Sequence, residues 1–211
     1  MGNAPGVGTR TTQLAGAFPR EEFWNLPNTI STFRLAMVPV LMALPFATGR
    51  SGSQLLAWLY IVAALSDILD GWLARRGQQV TRIGKLLDPL ADKLLVSTAL
   101  IMLIAVDRLD GYAWMAVVIV GRELAVTGLR GIASAGGRVM PASWLGKAKA
   151  LSQNSAIVAL LFYYPQMGLP GREIGLVLLA LATVLTLWSG YFYFADYFGS
   201  SLEGADEAEG T

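Results

Sequence analysis

Between Ser66 and Lys93 the chain reads SDILDGWLARRGQQVTRIGKLLDPLADK, which sets four carboxylates, Asp67, Asp70, Asp88 and Asp92, among residues otherwise apolar enough for a bilayer. One unpaired charge at the centre of a membrane helix costs about 2.5 to 3.5 kcal/mol. Four of them need partners, and whatever neutralises them governs how the chain packs. At helical spacing Asp67 and Asp70 share a face with Gly71 and Ala74, while Asp88 and Asp92 share one on the next helix, a turn beyond Gly84. The connector from Arg76 to Arg82 is short and polar, so the two helices are expected to be antiparallel neighbours with their acids facing. Clustered hard oxygens suit Mg2+ or Mn2+, and the chain has no histidine or cysteine to build a softer site. The small residues between the acids leave room for a substrate group.

Composition agrees with a membrane setting. Of 211 residues 54% are hydrophobic and only 15% charged, too apolar a balance for an ordinary water-soluble domain of this length. The absence of cysteine excludes disulfides, and the absence of histidine leaves Asp, Glu or a substrate group as the only proton acceptors. The expected fold is an all-α integral membrane protein with six transmembrane helices after a short interfacial helix. Residues 1–20 are expected to form a disordered cytoplasmic leader, 21–199 the membrane domain, and 200–211 a disordered acidic tail.

The interfacial helix is expected at EEFWNL, where Phe23 and Trp24 stand beside charges. Spans follow over about 30–47, bent by Pro39 and Pro45, then 54–75, 83–106, 112–132, 144–164 and 173–193. Pro89 should loosen the third beside Asp88. Arg34 either reaches the headgroups or faces the polar pocket. In the fourth span Glu123 and Arg130, seven apart, suit an internal ion pair. Arg122 is then left without a partner in its own sequence neighbourhood, which favours an anionic ligand. Lys147 and Lys149 stand near the start of the fifth span, and WSGYFYFADYF reads as an interfacial aromatic belt.

Six spans put both termini on one side. Arg50, Arg108 and Arg172 fall on the other, and the remaining thirteen of sixteen basic residues gather with the carboxylates, which marks that side as cytoplasmic. The expected location is therefore the cytoplasmic membrane, with the acids facing the compartment that holds nucleotide-activated substrates.

Asp67, Asp70, Gly71, Ala74, Arg75, Gly84, Asp88 and Asp92 match DxxDGxxARx(8)GxxxDxxxD without a mismatch, and in this the chain resembles the CDP-alcohol phosphotransferases. The resemblance implies two divalent ions on Asp67, Asp70, Asp88 and Asp92, with Asp92 also the general base. It implies a CDP site at Asp67, Gly71, Ala74, Arg75 and Gly84, and a homodimer. The segments NLPNTISTFR, GRELAVTGLR and SWLGKAKALSQ look like the phosphatidylglycerophosphate synthase branch, except that Ala150 stands where a Thr is expected. That branch would join CDP-diacylglycerol to glycerol 3-phosphate. Arg122, Arg130, Arg138, Lys147 and Lys149, with Arg34, offer more positive charge than one pyrophosphate needs, so an acceptor with its own phosphate is the economical reading. Inositol phosphate, serine or phosphatidylglycerol as acceptor stay open within the same chemistry. A cation-coupled transporter, which also uses acids within the membrane, and a silent scaffold are the rivals outside it. No nucleic acid partner is expected.

Overall fold

The computed structural model describes the backbone of residues 26–77, 82–136, 144–166 and 168–209, and side chains at 28–66, 87–136, 144–166 and 168–199. Among the described residues the chain is all-helical, with six α-helices and no strand beyond one isolated bridge between Gln166 and Leu169. They are α1 Leu26–Leu41, α2 Arg50–Gly77, α3 Arg82–Ala105, α4 Ala113–Ala135, α5 Trp144–Phe162 and α6 Gly171–Glu209. The leader and nearly all of the expected interfacial helix lie outside the described residues.

Two boundaries differ from expectation for local reasons. The first helix tolerates Pro39 near its end but stops at Leu41, and Pro45 sits in a separate 3-10 turn, Leu44–Phe46, rather than bending a continuous span. Proline suits a first helical turn because its missing N–H would go unused there. The last helix does not stop near Tyr193. It continues through the acidic segment to Glu209, where disorder was expected.

Each helix buries one stripe. On α2 it is Leu56, Tyr60 and Ala63, on α3 Leu95, Ala99 and Leu103, and on α5 Ile157, Leu160 and Leu161, all in one core. Going round the bundle the packing order is α3, α1, α2, α5, α6, α4, with α3 and α4 meeting more sparsely than the other neighbours. Over their described portions α2 and α3 thus each pack on α1. Among the described residues α5 and α6 pack most extensively, and a Cβ placed on Gly175 would come within 2.6 Å of Leu160 Cγ.

The outward faces are apolar too: Val62, Leu65, Ile101, Val117, Val177, Leu181, Val184, Leu187 and Trp188 are all exposed. By length and composition the segment Gly171–Gly199 of α6 can cross a membrane. Helices such as α4 mix apolar residues with the charges described below.

At the end of the bundle away from those charges, one arginine closes the structure. Arg108 follows α3 in a turn where Asp107, Asp110 and Gly111 take left-handed conformations. Rather than reaching outward, it is 2% exposed and donates to the carbonyl oxygens of Leu160, Leu161 and Thr48 and to Ser53 Oγ. Its guanidinium also lies 4.7 Å from the Tyr163 ring, and burial draws its pKa below the usual arginine value. Nearby, Arg50 donates to the Pro165 carbonyl at 3.1 Å, and Arg172 pairs with Asp110 and Glu173.

Candidate active site

α4 carries the charge that organises the other end. Its buried stripe runs Ala116, Ile119, Glu123, Val126, Leu129 and Ala133, so a carboxylate takes a place that periodicity would give to an aliphatic residue. Glu123 is 6% exposed and uses both oxygens. Oε2 pairs with Lys93 of α3, and Oε1 with Lys149 of α5 and, at 3.2 Å, with the Arg122 guanidinium. The expected Glu123–Arg130 pair, argued from spacing along one helix, gives way to partners on three elements.

Asp92 lies beside this cluster. Its side chain is 40% exposed, and Oδ2 is 3.5 Å from Lys93 Nζ. Both open on a cleft of about 550 Å3 bounded by Arg122, Arg130, Lys147 and Lys149. Among the described residues five cations and two carboxylates line it, an excess that suits an anion carrying more than one charge. Behind Asp92 a narrower recess of about 40 Å3 runs between Val96, Ile119 and Gln153. Gln153 Oε1 is buried without a hydrogen-bond partner among the described residues.

α6 supplies the cleft's far wall. Arg122 donates to Ser189 Oγ at 2.9 Å, so it does have protein partners, contrary to the expectation from sequence. Its guanidinium lies 5.5 Å from the Tyr193 ring, and that of Arg130 lies 5.7 Å from the same ring. Tyr193, expected in an interfacial belt, is therefore a cleft residue, and one ring carries two cations. Gly190 makes this possible, since a Cβ there would stand 3.2 Å from Arg122 Cγ.

Asp88 occupies a separate setting between α1 and α3. Ser31 Oγ donates to its Oδ1, and Arg34, 1% exposed, approaches the same oxygen at 3.9 Å. Arg34 thus stands with Asp88 rather than among the residues bounding the cleft. The side chains of Asp67, Asp70, Gly71, Ala74, Arg75 and Gly84, and the loop with Arg138, lie outside the described residues; the first five positions lie on α2 and Gly84 on α3. Among the described residues no three acidic, histidine or cysteine side chains converge. The described acids of the motif, Asp88 and Asp92, stand one helical turn apart and offer only hard oxygen donors, which fits Mg2+ or Mn2+.

Sequence spacing did not single out Lys93, Ser31 or Tyr193. Lys93 follows Asp92 directly and so reads as its neighbour's counter-charge, whereas its link to Glu123 crosses between helices.

The described residues thus form an all-helical bundle that gathers acids and cations at one end. The chain belongs to the CDP-alcohol phosphatidyltransferase family, whose profile matches residues 24–188. It is 41% identical to a CDP-diacylglycerol–glycerol-3-phosphate 3-phosphatidyltransferase of Bacillus subtilis over 184 residues, 82% of this chain and 94% of the relative. A Rickettsia typhi protein of the same name is 35% identical over 171 residues, covering 81% and 95%. A probable phosphatidylglycerophosphate synthase of Mycobacterium tuberculosis is 40% identical over 188 residues, covering 88% and 86%.

Proposed function

We propose that the protein transfers the phosphatidyl group from CDP-diacylglycerol to glycerol 3-phosphate, giving phosphatidylglycerophosphate and CMP. The observation that carries this reading is that Asp92 opens on the same cleft as Arg122, Arg130, Lys147 and Lys149. A proton acceptor and a phosphate-binding surface then face one substrate. The acceptor's hydroxyl oxygen forms a bond to the β-phosphorus, the bond from that phosphorus to the oxygen retained by CMP breaks, and Asp92 takes the hydroxyl proton.

Asp67, Asp70, Asp88 and Asp92 would hold two divalent ions, whose chemistry when bound is to polarise the pyrophosphate and stabilise the leaving oxyanion. Ser31 and Arg34 orient Asp88 for that task. Asp67, Gly71, Ala74, Arg75 and Gly84 would hold the CDP moiety. Arg122, Arg130, Lys147 and Lys149 would hold the acceptor's phosphate, with Tyr193 and Ser189 fixing the arginines in place.

The exposed apolar faces of the helices support six spans in the cytoplasmic membrane. The distribution of basic residues supports a cytoplasmic cleft, and the family resemblance supports a homodimer. The deciding experiment supplies purified protein with labelled CDP-diacylglycerol and, in turn, glycerol 3-phosphate, inositol phosphate, serine and phosphatidylglycerol. CMP release with glycerol 3-phosphate is expected, and release with another acceptor alone would move the assignment within the same chemistry. Cation flux in liposomes with no CMP release would favour a transporter.

A further inference from the structure

We infer that Glu123 is a positioning residue for the acceptor half of the cleft: its carboxylate holds Lys93 and Lys149 in register with Asp92. The inference rests on the reading of a phosphorylated acceptor given above.

Three observations carry it. The two carboxylate oxygens take different lysines, Oε2 Lys93 on α3 and Oε1 Lys149 on α5, so one side chain on α4 sets the separation of two cations from different helices. Lys93 in turn stands 3.5 Å from Asp92, which extends the chain of contacts to the proposed base. This linkage joins α3 to α4, two helices that pack more sparsely on each other than the bundle's other neighbours, so side-chain ion contacts tie what helix packing does not.

Stability alone does not account for the arrangement. A buried ion pair contributes little more than a well-packed apolar group of similar size. Glu123 sits on a stripe of Ala, Ile, Val and Leu, where leucine would serve packing as well. A cluster selected for stability would also be charge-balanced, yet three cations, Lys93, Arg122 and Lys149, converge on Glu123, and among the described residues Asp92 beside Lys93 is the other carboxylate that answers them. Unlike an aliphatic side chain, a carboxylate gives direction. It aims the lysines along the cleft wall and leaves their remaining donors and the surplus charge for an incoming phosphate.

The test measures steady-state kinetics of CMP release for wild type, Glu123→Gln, Lys149→Met and the double variant, varying each substrate separately. Glu123→Gln should raise the acceptor KM by roughly tenfold or more while leaving the KM for CDP-diacylglycerol within about twofold. In the Lys149→Met background most of that effect should vanish, because Glu123 acts through the lysine. An unchanged or lower acceptor KM, an equal rise for both substrates, or full additivity with Lys149→Met would overturn the inference. If Glu123→Gln does not fold, Lys93→Met provides the test, since it leaves the Glu123–Lys149 pair in place. It should raise the acceptor KM selectively, and no selective rise overturns the inference. Wild-type protein that releases no CMP with glycerol 3-phosphate would remove the proposed function itself, an outcome distinct from those above.

Discussion

The Arg108 guanidinium donates to the carbonyl oxygen of Leu161 at 2.7 Å, joining the turn after α3 to the end of α5. With its bonds to Leu160, Thr48 and Ser53, one side chain satisfies acceptors from three parts of the chain. Arg108→Met keeps much of the side chain's length but takes this donor from the Leu160 and Leu161 carbonyls, at a cost of about 3 kcal/mol. A lowered thermal midpoint in detergent, with both KM values unchanged, is the expected result.

Asp92→Asn should cut kcat by roughly a thousandfold, within the range that a general base contributes. Binding of CDP-diacylglycerol, measured by equilibrium dialysis, should persist. Turnover near the wild-type rate would take the role of base away from Asp92.

Removing divalent ions with a chelator should stop CMP release, and adding back Mg2+ or Mn2+ should restore it. Full activity after exhaustive chelation would show that the carboxylates of α2 and α3 serve another purpose.

Arg122→Ala should raise the KM for glycerol 3-phosphate by roughly tenfold or more, the worth of a hydrogen bond to a charged group. The KM for CDP-diacylglycerol should change little. Equal changes in both would mean that the arginine supports the fold through Ser189 and Tyr193 rather than the acceptor.

Gly175→Ala tests the α5–α6 contact, because the added methyl would press on Leu160. Such overpacking costs about 1 to 3 kcal/mol, which thermal unfolding would register. An unchanged midpoint would mean that the two helices separate without penalty.

Much of this architecture is legible in the sequence because hydropathy and charge alternate on the scale of whole helices. α2 to α5 begin and end within a few residues of where apolar runs give way to polar ones. The end of α6 was not legible, since nothing in an acidic, polar segment such as 200–209 marks where a helix stops. Within the site, spacing put Arg122, Glu123 and Arg130 together on α4. Spacing along one helix cannot show that Lys93 and Lys149 arrive from neighbouring helices to claim Glu123, or that Tyr193 turns inward beneath two arginines. Arg34 illustrates the same limit: its sequence position allows either the headgroups or the polar pocket, and its burial beside Asp88 depends on how α1 lies against α3.

The two ends of the bundle are fastened by different forces, and they should respond differently to electrolyte. Around Arg108 the fastening is a set of buried hydrogen bonds to carbonyls, which dissolved ions barely reach. Around Glu123 it is charge against charge beside an open cleft, and screening acts through its more exposed members, Lys93 and Asp92. Raising ionic strength should therefore speed amide exchange near 123–130 before it affects 157–162, so that the protein frays from its working end first.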